Sequence, residues 1–517
     1  RAVLIYLKKG CLIRDLIAER VLFADEKGQL LKKWNGPKEE IPPIFQSITG
    51  GDQLETFVRF QVDGDILSLD SKIWDSYTQY YQSTLGNKGI CYIQGEEMPI
   101  SYLSPYKIRN AGDRAKLISS NDSVNFTYRG RFEHVEEALS IGFDTTQKAH
   151  SALRWLVGRQ GIQNGDQTIL AWGTENEPIP PITGDAYDLM ERGQSDLFGE
   201  EFQSIYDGVE TLPQTRESFA AEFNKAIQGY RHVLTQHSQV SVMILDSATP
   251  GRLSIRYYRE LSGSRLMDNI EDWHKTFGWE LRYAKMKEDG KGKKKAVPVV
   301  FVGAPAPIDI ASAAYGAKAD DRLKQQTIER LLPCITEKRP FPKDIMLAAV
   351  HRAANGIAME TWEINKTRSI ACALIKGYHH RNLKEEYTMA IDENCSDRSY
   401  LFGRILACAD QLEQYAVYNT AGEKSNRPTN ALRYEVAYTQ HPAKTLALLR
   451  KQLEPYLERL IKANKSVYAN EQMLKLISRI PMEEFNDQPL TELYLLGYAC
   501  QRADFFKKTD EASNDHE

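Results

Sequence analysis

Cysteine is scarce and scattered. The seven present (Cys11, Cys91, Cys334, Cys372, Cys395, Cys408 and Cys500) are odd in number and form no C-x-x-C pair. That excludes a disulfide framework, argues against a structural zinc site, and points to a reducing compartment. No apolar run reaches the ~18 residues that a membrane span needs, and no secretory signal is visible. The segment "DGKGKKKA" has neither the spacing nor the hydroxyl of a phosphate-binding loop, whose backbone amides must wrap a phosphate. Also missing are a His-Asp dipeptide, H-E-x-x-H, G-x-S-x-G and any acidic cluster with the spacing of a catalytic metal centre. His379 and His380 are adjacent late in a helical pattern. Adjacent side chains on a helix diverge, so they make a poor metal pair. His150 and His274 fit core-edge positions better than catalytic bases. Neither a catalytic residue, nor a metal, nor a cofactor is assigned.

A large excess of one charge is also lacking. The 517 residues are 42% hydrophobic and 26% charged, with a net charge of −4. This is an ordinary globular composition on a chain too long for one core. Any contact with a polyanion must therefore be a local stripe on a nearly neutral body.

Such a stripe exists at residues 101–132, "SYLSPYKIRNAGDRAKLISSNDSVNFTYRGRF". Lys107, Arg109, Arg114, Lys116, Arg129 and Arg131 face only Asp113 and Asp122. Cations at variable spacing, with amides and hydroxyls between them and aromatics nearby, suit a contact that tracks a phosphate backbone. Asn110, Ser119, Ser120 and Asn121 are candidates for groove edges. Composition alone leaves a solvated loop equally open. The two-residue beat of Phe126, Tyr128 and Phe132 predicts a strand at its end.

Periodicity predicts a mixed first part and a helical last part, an α+β fold followed by a helical bundle. Residues 144–158 read as a helix with Ala149, Leu153, Leu156 and Val157 on one face, capped by Asp144 or Thr145. Residues 168–173, 239–246 and 248–261 read as strands, the last leading into a helix capped by Ser262 or Ser264. Residues 285–298 read as a charged loop, whose Lys291, Lys293, Lys294 and Lys295 form a solvated tip, with a phosphate-backbone contact as the alternative, and 297–307 as a last strand. From about Asp320 helical patterns dominate: 321–335, 343–358, 366–380, 396–418, 441–462, 470–479 and 489–507. Pro455 predicts a kink or break in the fifth of these. The expected domains are 1–319 and 320–517.

The order of motifs adds a resemblance. "KIRNAGDRAKLISSND", "FTYRGRF", "IGFDTTQKAHSALRWLVGRQG", "AWGT", "LSIRYYRELSGS", "LLPCITEKRPFPKDI", "IACALIKGYHHR" and "SYLFGRILACADQLEQYA" resemble, in this order, the large-subunit family of type I-C CRISPR surveillance complexes (Cascade). The likeness runs from the first residues to beyond 450. It implies a non-enzymatic, cytoplasmic subunit that recognises the protospacer-adjacent motif (PAM) in double-stranded DNA. Such a subunit supports strand separation and R-loop formation and helps to recruit a separate helicase–nuclease. The implied partners are the CRISPR guide RNA, target DNA, and the backbone, guide-processing and small subunits, with no membrane. The family normally carries more sequence before the region matching Tyr6–Leu16, and the chain begins at Arg1 rather than Met, so an N-terminal segment is expected to be missing.

The resemblance also implies a small helical subunit made by internal initiation. Lys384-Glu385-Glu386 must be encoded by nine consecutive purines, two codons before Met389, as at a ribosome-binding site. Residues 389–517 would be the product. Lys366, Arg368, Arg427, Arg433, Lys444 and Arg450 are candidates for holding the displaced DNA strand. Two rivals stay open on the sequence: a metal-dependent nucleic-acid hydrolase with an unrecognised site, and an assembly protein that binds only guide RNA and protein.

Overall fold

The computed structural model describes all residues except 49–51, 120–131, 176, 199–215, 250, 289–293, 422–426 and 515–517. The chain forms two compact units. One comprises Arg1–Ser104 with Ser119–Lys148, and the other Pro105–Ile118 with Ala149–Glu517.

The first unit is built from short elements: α1 (Ala2–Lys8), α2 (Leu12–Ala18), α3 (Pro43–Ser47), α4 (Ser71–Thr84), α5 (Val135–Ala138), and the two-stranded pairs β1 (Gln61–Val62) with β2 (Asp65–Ile66) and β3 (Lys88–Ile90) with β4 (Glu97–Pro99). Its interior is thin, and α1, α2 and α4 bury no residue. A turn forms at Gly28, with Gly28 at φ 76° and its N–H bonded to the Asp25 carbonyl at 2.9 Å. Gln53 substitutes for packing. Its buried amide donates to the carbonyls of Phe23 (2.9 Å) and Leu31 (2.7 Å) and accepts from the Phe23 N–H (3.0 Å), so all its polar atoms are satisfied.

The second unit begins with α6 (Phe143–Gln160), whose first residues belong to the other unit. The helix starts one residue ahead of the predicted caps, so Asp144 lies in its first turn and pairs with Lys148 at 2.7 Å. Then come β5 (Ile162–Asn164), β6 (Gln167–Gly173), α7 (Ala186–Phe198), α8 (Arg216–Val233), β7 (Gln239–Thr249), β8 (Arg252–Ser262) and α9 (Gly263–Thr276). Ser262 caps α9, its hydroxyl accepting from the Arg265 N–H at 3.4 Å. The four strands form an antiparallel sheet in the order β5-β6-β7-β8.

Alternation gives this sheet two buried faces. Ile169, Val240, Val242, Ile244 and Leu261 join the main core, while Leu170, Leu245 and Leu253 form a smaller core with Ile108, Ala115 and Val157. A register shift between Ile244 and Leu245 sends Leu253 to the smaller core and Tyr257 to the main one, and Ile255 between them is 46% exposed.

The stretch expected to be a charged loop is mostly a hairpin. β9 (Trp279–Glu288) pairs antiparallel with β10 (Lys294–Gly303), and Lys291 and Lys293 lie outside the described residues. Helices follow: α10 (Pro307–Tyr315), α11 (Asp321–Thr336), α12 (Lys343–Ala354), α13 (Thr361–Tyr378), a π turn at His379–Leu383, α14 (Arg398–Ala421), α15 (Asn430–Arg433), α16 (Glu435–Gln440), α17 (Pro442–Lys462), α18 (Tyr468–Arg479) and α19 (Leu493–Asn514). The α+β region and the helical region are thus both present. The change of character near 320 is one of secondary structure, because a single core joins residues from Ile169 to Cys500 across it.

α17 runs through Pro455 without the expected break. Pro455 and Lys451, whose carbonyl loses its helical donor, are both on the exposed side, where water can satisfy that group. The buried Leu449, Leu453 and Leu460 hold the other side. α14 and α19 meet at two glycines. A Cβ on Gly403 would lie 1.8 Å from the Tyr494 carbonyl oxygen, and one on Gly497 2.1 Å from that of Tyr400. No described helix is long and apolar enough to cross a membrane.

Candidate nucleic-acid interface

The basic stretch is divided by the fold. Residues 105–118 lie against the sheet of the second unit, where Ile108 and Ala115 are buried with Leu170, Val157 and Leu253. Two apolar anchors so close in sequence force the residues between them outward as a tight loop. That loop is closed from within. Asp113 accepts from the Arg109 guanidinium at 2.9 and 3.0 Å and from the Ala115 N–H at 3.0 Å, while the Lys107 N–H donates to the Asp113 carbonyl at 2.8 Å. Burial works to raise the Asp113 carboxyl, but the Arg109 and main-chain hydrogen bonds outweigh it and hold the group below its ordinary value. Arg109 also donates to the Asp166 carbonyl, and its side chain is only 10% exposed. Arg109, predicted to hold a phosphate, is therefore committed to shaping the loop.

The remaining cations face outward. Lys107 and Arg114 are exposed and Lys116 is half-buried. Lys116 is fixed at the backbone, where its N–H reaches the Gly251 carbonyl at 3.2 Å and its carbonyl accepts from Leu253 N–H at 3.0 Å, a short parallel bridge beside β8. Asn110 is exposed, and its side-chain oxygen accepts from the Gly112 N–H at 3.0 Å, which stabilises the turn. Ser119 belongs to the first unit, bridged to Leu103. Ser120, Asn121, Arg129 and Arg131 lie outside the described residues, as does most of the strand predicted over Phe126–Phe132.

Helix α6 contributes residues that sequence reasoning passed over. Arg154 donates from Nε to the Lys107 carbonyl at 2.9 Å and from Nη2 to the Tyr106 carbonyl at 3.0 Å, clamping the loop to the helix. Trp155 is 56% exposed and carries the Arg159 guanidinium 5.0 Å from its ring centroid. The sequence did hold a signal, since Trp155 and Arg159 are four apart on a predicted helix and so share a face. Val157 and His150 are buried, whereas Ala149, placed on the apolar face by periodicity, is exposed.

Among the displaced-strand candidates, two are spent inside the fold. Lys366 pairs with Asp309 at 2.7 Å and lies 4.3 Å from the centre of the Tyr283 ring. Arg368 pairs with the buried Glu435 and stacks on Tyr498 at 5.0 Å. Arg427, Arg433, Lys444 and Arg450 are exposed.

The histidines carry structural roles. Burial drives the His274 imidazole down to about 3. His379 is held between Glu385 (2.7 Å) and Glu492 (3.1 Å), and His380 faces Glu386 (2.8 Å), so the adjacent pair has separate partners. Among the described residues no group of three or more His, Cys, Asp or Glu is placed to hold a metal ion. Met389 lies in the irregular segment between the π turn and α14.

A sheet carrying a clamped cationic loop on one face, joined to a long helical bundle, defines a body suited to bind a polyanion along a local stripe. A family model described as CRISPR-associated protein (Cas_Csd1) matches residues 1–506. The chain belongs to this family: it is a large subunit of type I-C Cascade, a non-catalytic component in PAM recognition and R-loop formation. A search among curated proteins finds no match.

Proposed function

We propose that Lys107, Arg114 and Lys116, continued by Arg159 of α6, lie along the phosphates of the PAM-bearing duplex. The observation that carries this reading is the clamped loop. It presents its cations outward while Arg109 and Asp113 neutralise each other beneath them. Residues 105–118 and 149–165 together hold six Lys and Arg against one carboxylate, Asp113. A rigid support matters because flexible cations give up conformational entropy on binding. On the sequence reading, Arg129 and Arg131 are also proposed to hold phosphates, and Asn110, Ser119, Ser120 and Asn121 to meet groove edges.

In this reading the protein works in the cytoplasm with the guide RNA, the backbone, guide-processing and small subunits, and a helicase–nuclease recruited after target binding. Protein reads the short motif while base pairing reads the rest. The bundle holds the displaced strand through Arg427, Arg433, Lys444 and Arg450. Residues 389–517, started at Met389, also serve as the separate small subunit.

The test is duplex binding by the assembled complex, with and without the correct PAM. A PAM-dependent affinity that survives neutralisation of Lys107, Arg114 and Lys116 together would refute the assignment of these residues. Equal affinity for both duplexes in the unaltered complex would refute PAM reading by this chain.

A further inference from the structure

The strip that is proposed to follow the duplex also exposes two aromatic rings, each paired with a cation. Trp155 is 56% exposed beneath Arg159, and Tyr106 is 48% exposed with the Lys107 ammonium 5.5 Å from its ring centre. Phosphate contacts alone do not call for exposed aromatic surface. A large ring left in water forgoes the stabilisation that burial would give it, and here each residue is about half exposed.

The supports of the two rings are joined. Arg154, next to Trp155, bonds the carbonyls of both Tyr106 and Lys107, so the helix and the loop hold their aromatics on one clamped framework. Beside Trp155 on the helix face, Gly158 offers open space: an added Cβ would meet nothing within 4 Å. The segment from Ala149 to Gly165 contains no Asp or Glu. Exposed rings, cations over them and a helix segment free of carboxylates, with the loop's Asp113 already paired to Arg109, are what an unpaired nucleotide needs. Its base takes a π face and its phosphate takes a cation. A protein interface is likewise rich in Trp, Tyr and Arg and poor in Asp and Glu, and it is the family's role at nucleic acid that favours a base as the occupant.

We infer that Tyr106 and Trp155 form a stacking platform for unpaired bases, receiving nucleotides released where the duplex opens next to the PAM. This inference rests on the nucleic-acid reading above and adds a single-strand contact to it. Arg154 is a positioning residue, because it holds the loop at its carbonyls.

The experiment uses the complete guide-loaded complex with Trp155→Ala, Tyr106→Ala, Trp155→Phe and Tyr106→Phe variants. Two DNA probes are compared, a fully paired PAM duplex and the same duplex with a short mismatched bubble beside the PAM carrying 2-aminopurine. Each stacked base removed is expected to lower affinity for the bubble DNA roughly 5- to 140-fold more than affinity for the paired duplex. The 2-aminopurine quenching seen with the unaltered complex is lost in the alanine variants and kept in the phenylalanine variants. Equal affinity losses on the two probes, or unchanged quenching in both alanine variants, overturns the platform. So does loss of a subunit from the Trp155→Ala complex, which would make the surface a protein interface. Failure of the underlying reading looks different: the unaltered complex then shows no PAM-dependent duplex binding.

Discussion

Removing the outward cations of the 105–118 loop should change how binding responds to salt, not only how strong it is. Each phosphate contact releases condensed counterions, giving a slope of about −0.9 in log K against log salt on B-DNA. Lys107 and Arg114 of this loop are exposed and Lys116 is half-buried, so replacing all three by Gln should flatten the slope by up to roughly 2.7. Between 50 and 200 mM salt that corresponds to up to about 40-fold less affinity loss than in the unaltered complex. Arg109→Gln should behave differently. Its guanidinium is bound to Asp113 and the Asp166 carbonyl, so its loss leaves a buried carboxylate unpaired, costing about 3–5 kcal/mol of local stability. Fluorescence anisotropy with a labelled PAM duplex, read at four salt concentrations, separates the two behaviours. An unchanged slope in the triple variant refutes the phosphate role. A full unit of slope lost in Arg109→Gln, without loss of stability, refutes the division between supporting and contacting cations.

Gly403→Ala should destabilise the bundle by at least about 3 kcal/mol in a denaturant titration, since its methyl would meet the Tyr494 carbonyl at 1.8 Å, while Gly158→Ala, with open space, should be neutral or gain up to about 1 kcal/mol. Burial opposes a charge on His379, but Glu492 and Glu385 on its two ring nitrogens outweigh it and raise its pKa. Its contribution is therefore complete below the unfolded value of about 6.5 and is lost as pH rises through the folded one. Thermal unfolding of the unaltered protein should lose more stability from pH 6 to pH 9 than that of His379→Gln, and equal losses would count against the clasp. Recoding Met389 to Leu should abolish a small C-terminal polypeptide on a denaturing gel, and its survival at full size would end the internal-start proposal.

The helical third was legible because its apolar residues recur at helical spacing over long windows, and α11, α13 and α14 fall close to where periodicity placed them. β9 was not, although Trp279, Leu281 and Tyr283 alternate as buried residues, because the charges between and after them resemble a solvated loop. Burial on one face of a hairpin leaves the other free to carry Glu280 and Arg282, so charge density alone misjudged it. In the proposed interface, composition could not sort the cations of the stretch it singled out. Arg109 and Arg114 are equivalent as letters. Only the anchoring of Ile108 and Ala115 in the sheet decides that one turns inward to Asp113 and the other turns out.

The ion pair of Arg368 with Glu435 joins residues encoded on opposite sides of Met389. A polypeptide begun at Met389 would contain the acid and its neighbours Tyr494 and Asp410 but not the arginine, whereas the Gly403–Gly497 crossing would be intact. One reading frame would then yield two bundles alike in shape and unlike in electrostatics. The shorter, deprived of its counter-ion, would be driven to protonate that glutamate or to accept a cation from outside.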